Sequence, residues 1–465
     1  MANAIRYVKA LGIHERFDLE LEFQSGVNIL YGKNGTGKTT LLHILANILN
    51  GDFERFAFIP FETIEVHLDN GQKVKLLEYK HDEGNKVEVD IDGTEVTSFA
   101  TKEVREKLRY RSSGPRSEPQ HNIRLFHSLK AILPTAYFPA FRTLIEASSK
   151  EDYFIDAYHY SYTAATPYSN RTVSDIPTVH STLFARKFFG DFVPWLNYPS
   201  PEEVSQRLSM EMQQALNIVA NTDRKLLSKA FLDIFRTLSE ESNPTQEQPE
   251  HILEKIKSLF SRLESSSIVA DLSSGEEVYT KLRELVPSFK IRPENEDVYV
   301  PIMKVYKNSL EERADVQENS LRIINTYLDS VNRFLDGKGL VFGNTATTQV
   351  PPVWVKFHET GLESKIQALS SGERQIVTLI YSATHMSGQK VVLIDEPEIS
   401  LHIDWQSLLI PEMVAQLQDR QIITCTHSPM IGAEYEDQMI QLDTKPTHKR
   451  LRLSADNVDD IEEDL

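Results

Sequence analysis

Apolar and polar residues alternate along the start of the chain and then change period. IRYVKAL and FDLELEF carry the two-residue alternation of half-buried strands, VNILYG is a short interior-type apolar run, and TTLLHILANIL repeats its apolar positions at helical spacing. A Gly-rich turn separates the last two, so the segment reads strand, loop, helix. From Phe58 to about Thr97, the alternating segments TIEVHL, KVKLLEY and KVEVDI, divided by DNG and DEGN turns, predict an antiparallel β-subdomain. The apolar stretch LKAILPTAYFPAFRTLIEAS then returns the chain to a core.

Beyond Lys150 the pattern changes. EDYFIDAYHYSYTAATPYSN concentrates aromatic side chains, which could stack on bases or a partner peptide, or simply pack a loop-rich surface. From about Ser181 to Leu335 helical periodicity dominates in EEVSQRLSMEMQQALNIVA, RKLLSKAFLDIFRTL, EHILEKIKSLFSRLE and VQENSLRIINTYLDSVNRFL. SEESNPTQEQPE, with Pro244 and Pro249, reads as a linker. No internal repeat is seen, nor a heptad run long enough for an extended coiled coil, so a compact helical domain is expected. After Gly337 the strand patterns KGLVF and PVWVKF return, followed by the apolar helix QIVTLIYSA, the buried strands KVVLIDEPE and QIITCTH, and the acidic tail DNVDDIEEDL. Three parts are expected: residues 1–150 and 337–465 forming an α/β unit, and residues 151–336 forming a mainly helical insertion.

Composition narrows this picture modestly. The 465 residues are 40% hydrophobic and 25% charged. With no uninterrupted run of about 18 apolar residues and no secretory pattern in MANAIRYVKALGIHERF, a cytoplasmic protein with no membrane association is expected. The single cysteine, Cys425, excludes an internal disulfide and a multi-cysteine zinc site within one chain. A net charge of −18 opposes indiscriminate binding to nucleic acid. A local basic groove remains open in TKEVREKLRYRSSGPRSEPQHNIR, where Lys102, Arg105, Lys107, Arg109, Arg111, Arg116 and Arg124 surround Tyr110; the interleaved Glu103 and Glu106 equally suit a solvated helix face.

The chemistry lies in the Gly-rich turn. Gly32-Lys33-Asn34-Gly35-Thr36-Gly37-Lys38-Thr39 fits G-x-x-x-x-G-K-[ST] in the context that pattern requires, strand before and helix after. Its backbone N–H groups, with those of Thr40 at the helix start, would cradle phosphates. Lys38 would reach the β- and γ-phosphates of ATP, and Thr39 would ligate Mg2+. Val391-Val392-Leu393-Ile394-Asp395-Glu396 supplies the complement: an interior strand ending in an acid for the Mg2+ shell, Asp395, and a second acid to deprotonate the attacking water, Glu396. His427, just past an apolar strand in TCTHSP, is either a structural side chain or a contact to the γ-phosphate.

LSSGE occurs twice, at Leu272 to Glu276 and at Leu369 to Glu373. GKNGTGKT, LSSGERQ, VVLIDEPEISLH and CTHSP, in that order, resemble the ABC-type ATPase head shared by transporters, SMC-like and RecF-like proteins. In that family a signature resembling LSGGQ opens a helix leading into the strand with the acid pair, as the second copy does here. The first copy, inside the helical region, suits an N-cap for GEEVYTKLREL. The resemblance implies that Ser370, Ser371, Gly372 and Glu373 of one protomer complete the ATP site at Lys38 of another, and hence a dimer. Ser371 and Glu373 depart from LSGGQ, one restricting the backbone and one bringing an acid toward phosphate. ISLH, Ile399 to His402, fits the loop that links two such sites.

The long separation between Gly37 and Gly372 is unlike a transporter ATPase. AYFPAFRT, LSSGERQ and IDEPEISLH look most like the overcoming-lysogenisation-type ATPases of bacterial anti-phage defence, and stand-alone members of the PARIS type in particular. That resemblance implies an α/β ABC-ATPase head, with a P-loop mixed sheet and an antiparallel β-subdomain, interrupted by a large helical insertion domain. It also implies a homo-oligomer of dimer units, up to a hexamer, that holds a separate Toprim nuclease and releases it when a phage-encoded trigger is sensed. The stretch after His427 is too short for a Toprim fold of its own. A RecF/SMC-like DNA-processing ATPase is the alternative, and an ATP-locked scaffold with negligible turnover a third.

Overall fold

The computed structural model describes residues 4–81, 84–113, 131–142, 144, 175–239, 248–265, 281, 296–343 and 350–446. Two units result, one of Met1–Pro199 with Thr378–Leu465 and one of Ser200–Val377.

In the first unit, strands β1 (Ile5–Ile13), β2 (Phe17–Glu22) and β3 (Val27–Tyr31) lead into helix α1 (Lys38–Leu49). Strands β4 (Thr63–Leu68), β5 (Lys73–His81), β6 (Gly84–Ile91) and β7 (Thr94–Ala100) follow, then helix α2 (Thr101–Ser113), strand β8 (Thr135–Phe138) and helix α3 (Asp175–Phe189). The second unit holds helices α4 (Pro201–Ser239), α5 (Pro249–Ser265) and α6 (Glu296–Asn332) with the short strands β9 (Lys338–Phe342), β10 (Val353–Phe357) and β11 (Glu363–Ser364). Helix α7 (Ser371–Ala383) precedes β12 (Val391–Asp395), helix α8 (Ile403–Leu417), β13 (Gln421–Thr426), β14 (Met439–Gln441) and β15 (Lys445–Pro446).

The fold is α/β, with parallel and antiparallel strands segregated into separate sheets. Five strands in the order β14-β3-β13-β12-β8 pair in parallel throughout. β12 and β13 are buried along their whole length: β12 accordingly reads as an apolar run, Val391 to Ile394, ending in Asp395, while β13 buries the polar Gln421, Thr424 and Thr426 among Ile422, Ile423 and Cys425. The antiparallel sheet, β15-β2-β1-β4-β5-β6-β7, shows the contrary pattern: β4 alternates buried Ile64, Val66 and Leu68 with partly exposed Thr63, Glu65 and His67. Helix α1 is buried from Leu41 through Leu49, and it joins residues of both sheets in one core. Inside it, His43 Nε2 lies 2.9 Å from the Tyr137 hydroxyl, and burial pushes the His43 imidazole down to about 3, so it is neutral there.

The second unit is built on two long helices. The patterns EEVSQRLSMEMQQALNIVA and RKLLSKAFLDIFRTL join into α4, a single helix of 39 residues, and α6 runs for 37. At ~1.5 Å per residue each is roughly 55 Å long. α4 packs along α6. In α4 the buried positions Leu208, Met212, Ala215 and Val219 follow four- and three-residue steps, with Leu226 seven residues on past half-buried Thr222; in α6, Leu310, Ala314, Gln317, Leu321, Ile324, Leu328 and Val331 keep four- and three-residue steps throughout. That is the spacing of a coiled-coil seam. Small or polar side chains, Thr222, Ala314 and Gln317, occupy some of its positions, so hydrophobicity alone traces it poorly. An ion pair between Arg313 Nε and Asp223 Oδ1, 2.8 Å, crosses the two helices.

Candidate nucleotide site

The loop from Gly32 to Thr40 joins β3 to α1. Gly35 and Gly37 take φ of 81° and 82°, the left-handed region that a Cβ penalises. Gly37 has a second reason to lack a side chain, since a Cβ there would lie 2.7 Å from Phe17 Cζ. Gly37 caps α1 without a side-chain hydrogen bond, and no acid occupies the first turn, so among the described residues no capping side chain takes the orphan N–H groups of that helix start. This is a cradle suited to phosphate oxygens. Lys38 Nζ curls back to donate to the carbonyls of Gly32, at 2.8 Å, and Lys33, at 3.1 Å. Thr36 Oγ1 donates to the Lys33 carbonyl at 2.9 Å and closes the loop. Asn34 is exposed and Thr40 half-buried.

The loop and the acid pair meet directly. Thr39 Oγ1 donates to Asp395 Oδ2 at 2.8 Å, across 356 positions of sequence. Asp395 is 2% exposed; burial pushes its carboxyl up to about 6, with the Thr39 hydrogen bond opposing and the neighbouring Glu396 charge adding. A hydroxyl and a carboxylate are hard oxygen donors of the kind Mg2+ takes. Among the described residues no group of three His, Cys, Asp or Glu could hold a metal alone, so phosphate oxygens and water would have to complete its shell.

Glu396 follows the strand in a left-handed conformation, φ 48°, and its N–H donates to the Cys425 carbonyl at 2.8 Å. Its Oε1 lies 3.9 Å from His427 Nε2, so the two residues singled out for the reaction stand side by side at the ends of β12 and β13. Two further residues went unassigned in the sequence. Glu398 Oε1 accepts the backbone N–H groups of His427, 2.7 Å, and Ser428, 3.1 Å, fixing the turn that carries His427. Arg142 donates to carbonyls of the segment after β12. The sequence signal for both lay in phrases already noted, IDEPE and AYFPAFRT, without a hint of what each would touch.

The signature residues form a cluster of their own in the second unit. Ser370 N–H donates to Glu373 Oε2 at 2.7 Å, and Glu373 N–H donates to Ser370 Oγ at 3.3 Å, a reciprocal capping box at the start of α7. Ser371 and Gly372 have no positive φ, so serine in place of glycine costs no backbone strain there. Glu373 is 7% exposed and pairs with Lys338 Nζ at 3.0 Å. Burial alone would raise its carboxyl, but the Ser370 and Lys338 hydrogen bonds hold it below the usual value. Of the ISLH loop, Leu401 is buried and His402 exposed, with His402 Nδ1 accepting Asp404 N–H at 3.4 Å.

The basic stretch is only partly available to a ligand. Arg105 Nε donates to the Ala57 carbonyl, and Lys107 pairs with Glu54 at 3.4 Å. The side chains of Arg109 and Arg111, the residues Arg116 and Arg124, the aromatic run after Lys150 and the first LSSGE lie outside the described residues. Among the described residues no helix is long and apolar enough to cross a membrane.

A family model described as an AAA ATPase domain matches residues 16–431. The probable ATPase of retron Ec83 from Escherichia coli is 28% identical over 152 residues, covering 30% of this chain and 27% of that protein. The probable ATPase of retron Vc95 from Vibrio cholerae is 20% identical over 441 residues, 90% of this chain and 69% of the relative. Among solved structures, an Smc head domain from Pyrococcus furiosus, crystallised with the C-terminal domain of ScpA, aligns over 98% of this chain and 99% of its own at 12% identity and TM-score 0.38. The recombination mediator RecF aligns over 92% and 94% at 12% identity and TM-score 0.32. With the family model spanning all of the phosphate loop, signature and acid pair, the chain belongs to the AAA ATPase domain family and is an ATPase.

Proposed function

We propose that this ATPase works in a bacterial anti-phage defence system of the PARIS type, in the place of its ATPase AriA. In this reading it forms a homo-oligomer of dimer units, holds a separate Toprim nuclease and releases it when a phage-encoded protein is sensed. The observation that carries the nucleotide part is the Thr39–Asp395 hydrogen bond of 2.8 Å, which joins phosphate loop and acid pair beside Glu396 and His427. The defence part is supported by the retron relatives, whose names pair a probable ATPase with a retron, and by the sequence phrases AYFPAFRT and IDEPEISLH.

The roles follow from position. Loop N–H groups and Lys38 bind the phosphates of ATP, and Lys38 exchanges its contacts to Gly32 and Lys33 for phosphate oxygens. The Thr39 hydroxyl and the Asp395 carboxylate would hold Mg2+, which when bound would supply charge neutralisation on the phosphates. Glu396 takes the proton of the attacking water, and His427, 3.9 Å from it, contacts the γ-phosphate. Ser370 and the Gly372 amide of a second protomer complete the site.

Glu396→Gln is expected to keep ATP binding and to lose turnover by about 10²–10⁴-fold, the usual worth of a general base. An active Glu396→Gln variant removes Glu396 from that role. Weighing the chain co-expressed with its genomic neighbour, with ATP and with Lys38→Ala, tests the assembly: an ATP-dependent oligomer carrying a nuclease supports the scaffold. A bare dimer whose turnover rises with DNA and falls steeply with salt would instead favour the RecF-like reading.

A further inference from the structure

Arg142 is 1% exposed, at the turn where β8 ends and its own N–H donates to the Pro139 carbonyl. Its Nη1 donates to the carbonyls of Pro139, 3.1 Å, and Asp395, 3.0 Å. Its Nη2 donates to those of Glu396, 3.1 Å, Pro397, 3.2 Å, and Ile399, 3.4 Å. Four of these five carbonyls belong to residues 395–399, the segment that leaves β12 with the acid pair.

That segment needs holding. Glu396 sits at φ 48°, a conformation that a side chain other than glycine keeps only when its surroundings impose it. Its N–H is fixed by the Cys425 carbonyl at 2.8 Å, and its carbonyl by Arg142. With both sides of the residue pinned, the direction of its Cα–Cβ bond is set, and the carboxylate is presented toward His427. Only a planar fork of donors reaches so many carbonyls from one buried stem; an ammonium is a single point.

We infer that Arg142 is the positioning residue for Glu396: its guanidinium holds the 395–399 backbone in the left-handed turn that presents the carboxylate to the attacking water. The inference rests on the reading of Glu396 as the general base. None of the five carbonyls that Arg142 holds belongs to the phosphate loop, so positioning of this kind is expected to act on the chemical step more than on substrate capture.

The test is a double-mutant cycle in the full chain, measuring steady-state ATP turnover, binding of a fluorescent ATP analogue and melting temperature. Arg142→Lys is expected to lower kcat by about 10–100-fold, with KM and analogue binding within roughly threefold of wild type. Added to Glu396→Gln, it is expected to change the residual turnover less than about twofold, because it acts through a group already removed. A purely structural arginine would weaken binding and melting together and multiply fully with Glu396→Gln. Near-normal turnover in Glu396→Gln alone would discard the base assignment and this inference with it. Inactive Glu396→Gln beside Arg142→Lys of wild-type kcat, or fully multiplying effects, would overturn the positioning role while leaving the base intact. Arg142→Gln, with a smaller planar amide, is the second variant; failure of both to fold assigns Arg142 to the fold and overturns the inference.

Discussion

Asp395, the acid proposed to hold Mg2+, shows what a buried carboxyl costs the protein that carries it. Burial raises its carboxyl from 3.8 to about 6. A folded state that resists ionisation loses stability as pH rises: between about pH 4 and 6 the unfolded chain releases this proton first, and the penalty is complete above that window. Two pKa units correspond to about 3 kcal/mol at most. Asp395→Asn keeps an acceptor for the Thr39 hydroxyl and removes the charge. Without nucleotide, this variant should therefore melt higher than wild type at pH 7–8, and the two should converge toward pH 4. A melting difference that does not change with pH would mean that the buried charge is not its source. The same variant should lose its dependence on Mg2+ for nucleotide binding, an exchange of function for stability.

At the scale of elements, the start of α7 is built from a short motif and a distant cation. The reciprocal bonds of Ser370 and Glu373 are local, but Lys338, at the head of β9, is what lets a carboxylate stay 7% exposed beside them. Lys338→Met should lower stability by about 1–2 kcal/mol, as a buried acceptor loses its charged partner. Adding Glu373→Gln should restore most of the loss, since a neutral amide keeps both cap bonds. Equal melting of the single and double variants would show that the ion pair is not responsible. The contrast between motif and partner also explains what can be read from sequence. The strand, loop and helix around Lys38, and the apolar run ending at Asp395, are legible because each is specified by neighbours a few residues apart. Arg142 and Lys338 are not, because an arginine or lysine near an apolar stretch gives no sign of which distant carbonyl or carboxylate it will meet. The α4–α6 seam is a third case: its geometry is continuous, but Thr222, Ala314 and Gln317 fill seam positions with small or polar side chains, so the period fades when only hydrophobicity is followed.

For the molecule as a whole, the parallel sheet gathers chemistry from segments remote in sequence: β3 from the first fifty residues, β8 from the middle, β12 to β14 from the end. Its central strand β13 carries Cys425, the chain's single thiol, fully buried with its Sγ 3.7 Å from the Lys38 carbonyl. Burial pushes that thiol well above its ordinary range, so it is inert while the sheet is closed. The protein thus carries a built-in clock for its own breathing. A thiol reagent can reach Cys425 only when β13 parts from the helix above it, and the labelling rate counts those openings. ATP that grips Lys38 should slow the clock, and a rate indifferent to saturating nucleotide would mean that the phosphate loop and the strand beneath it open independently.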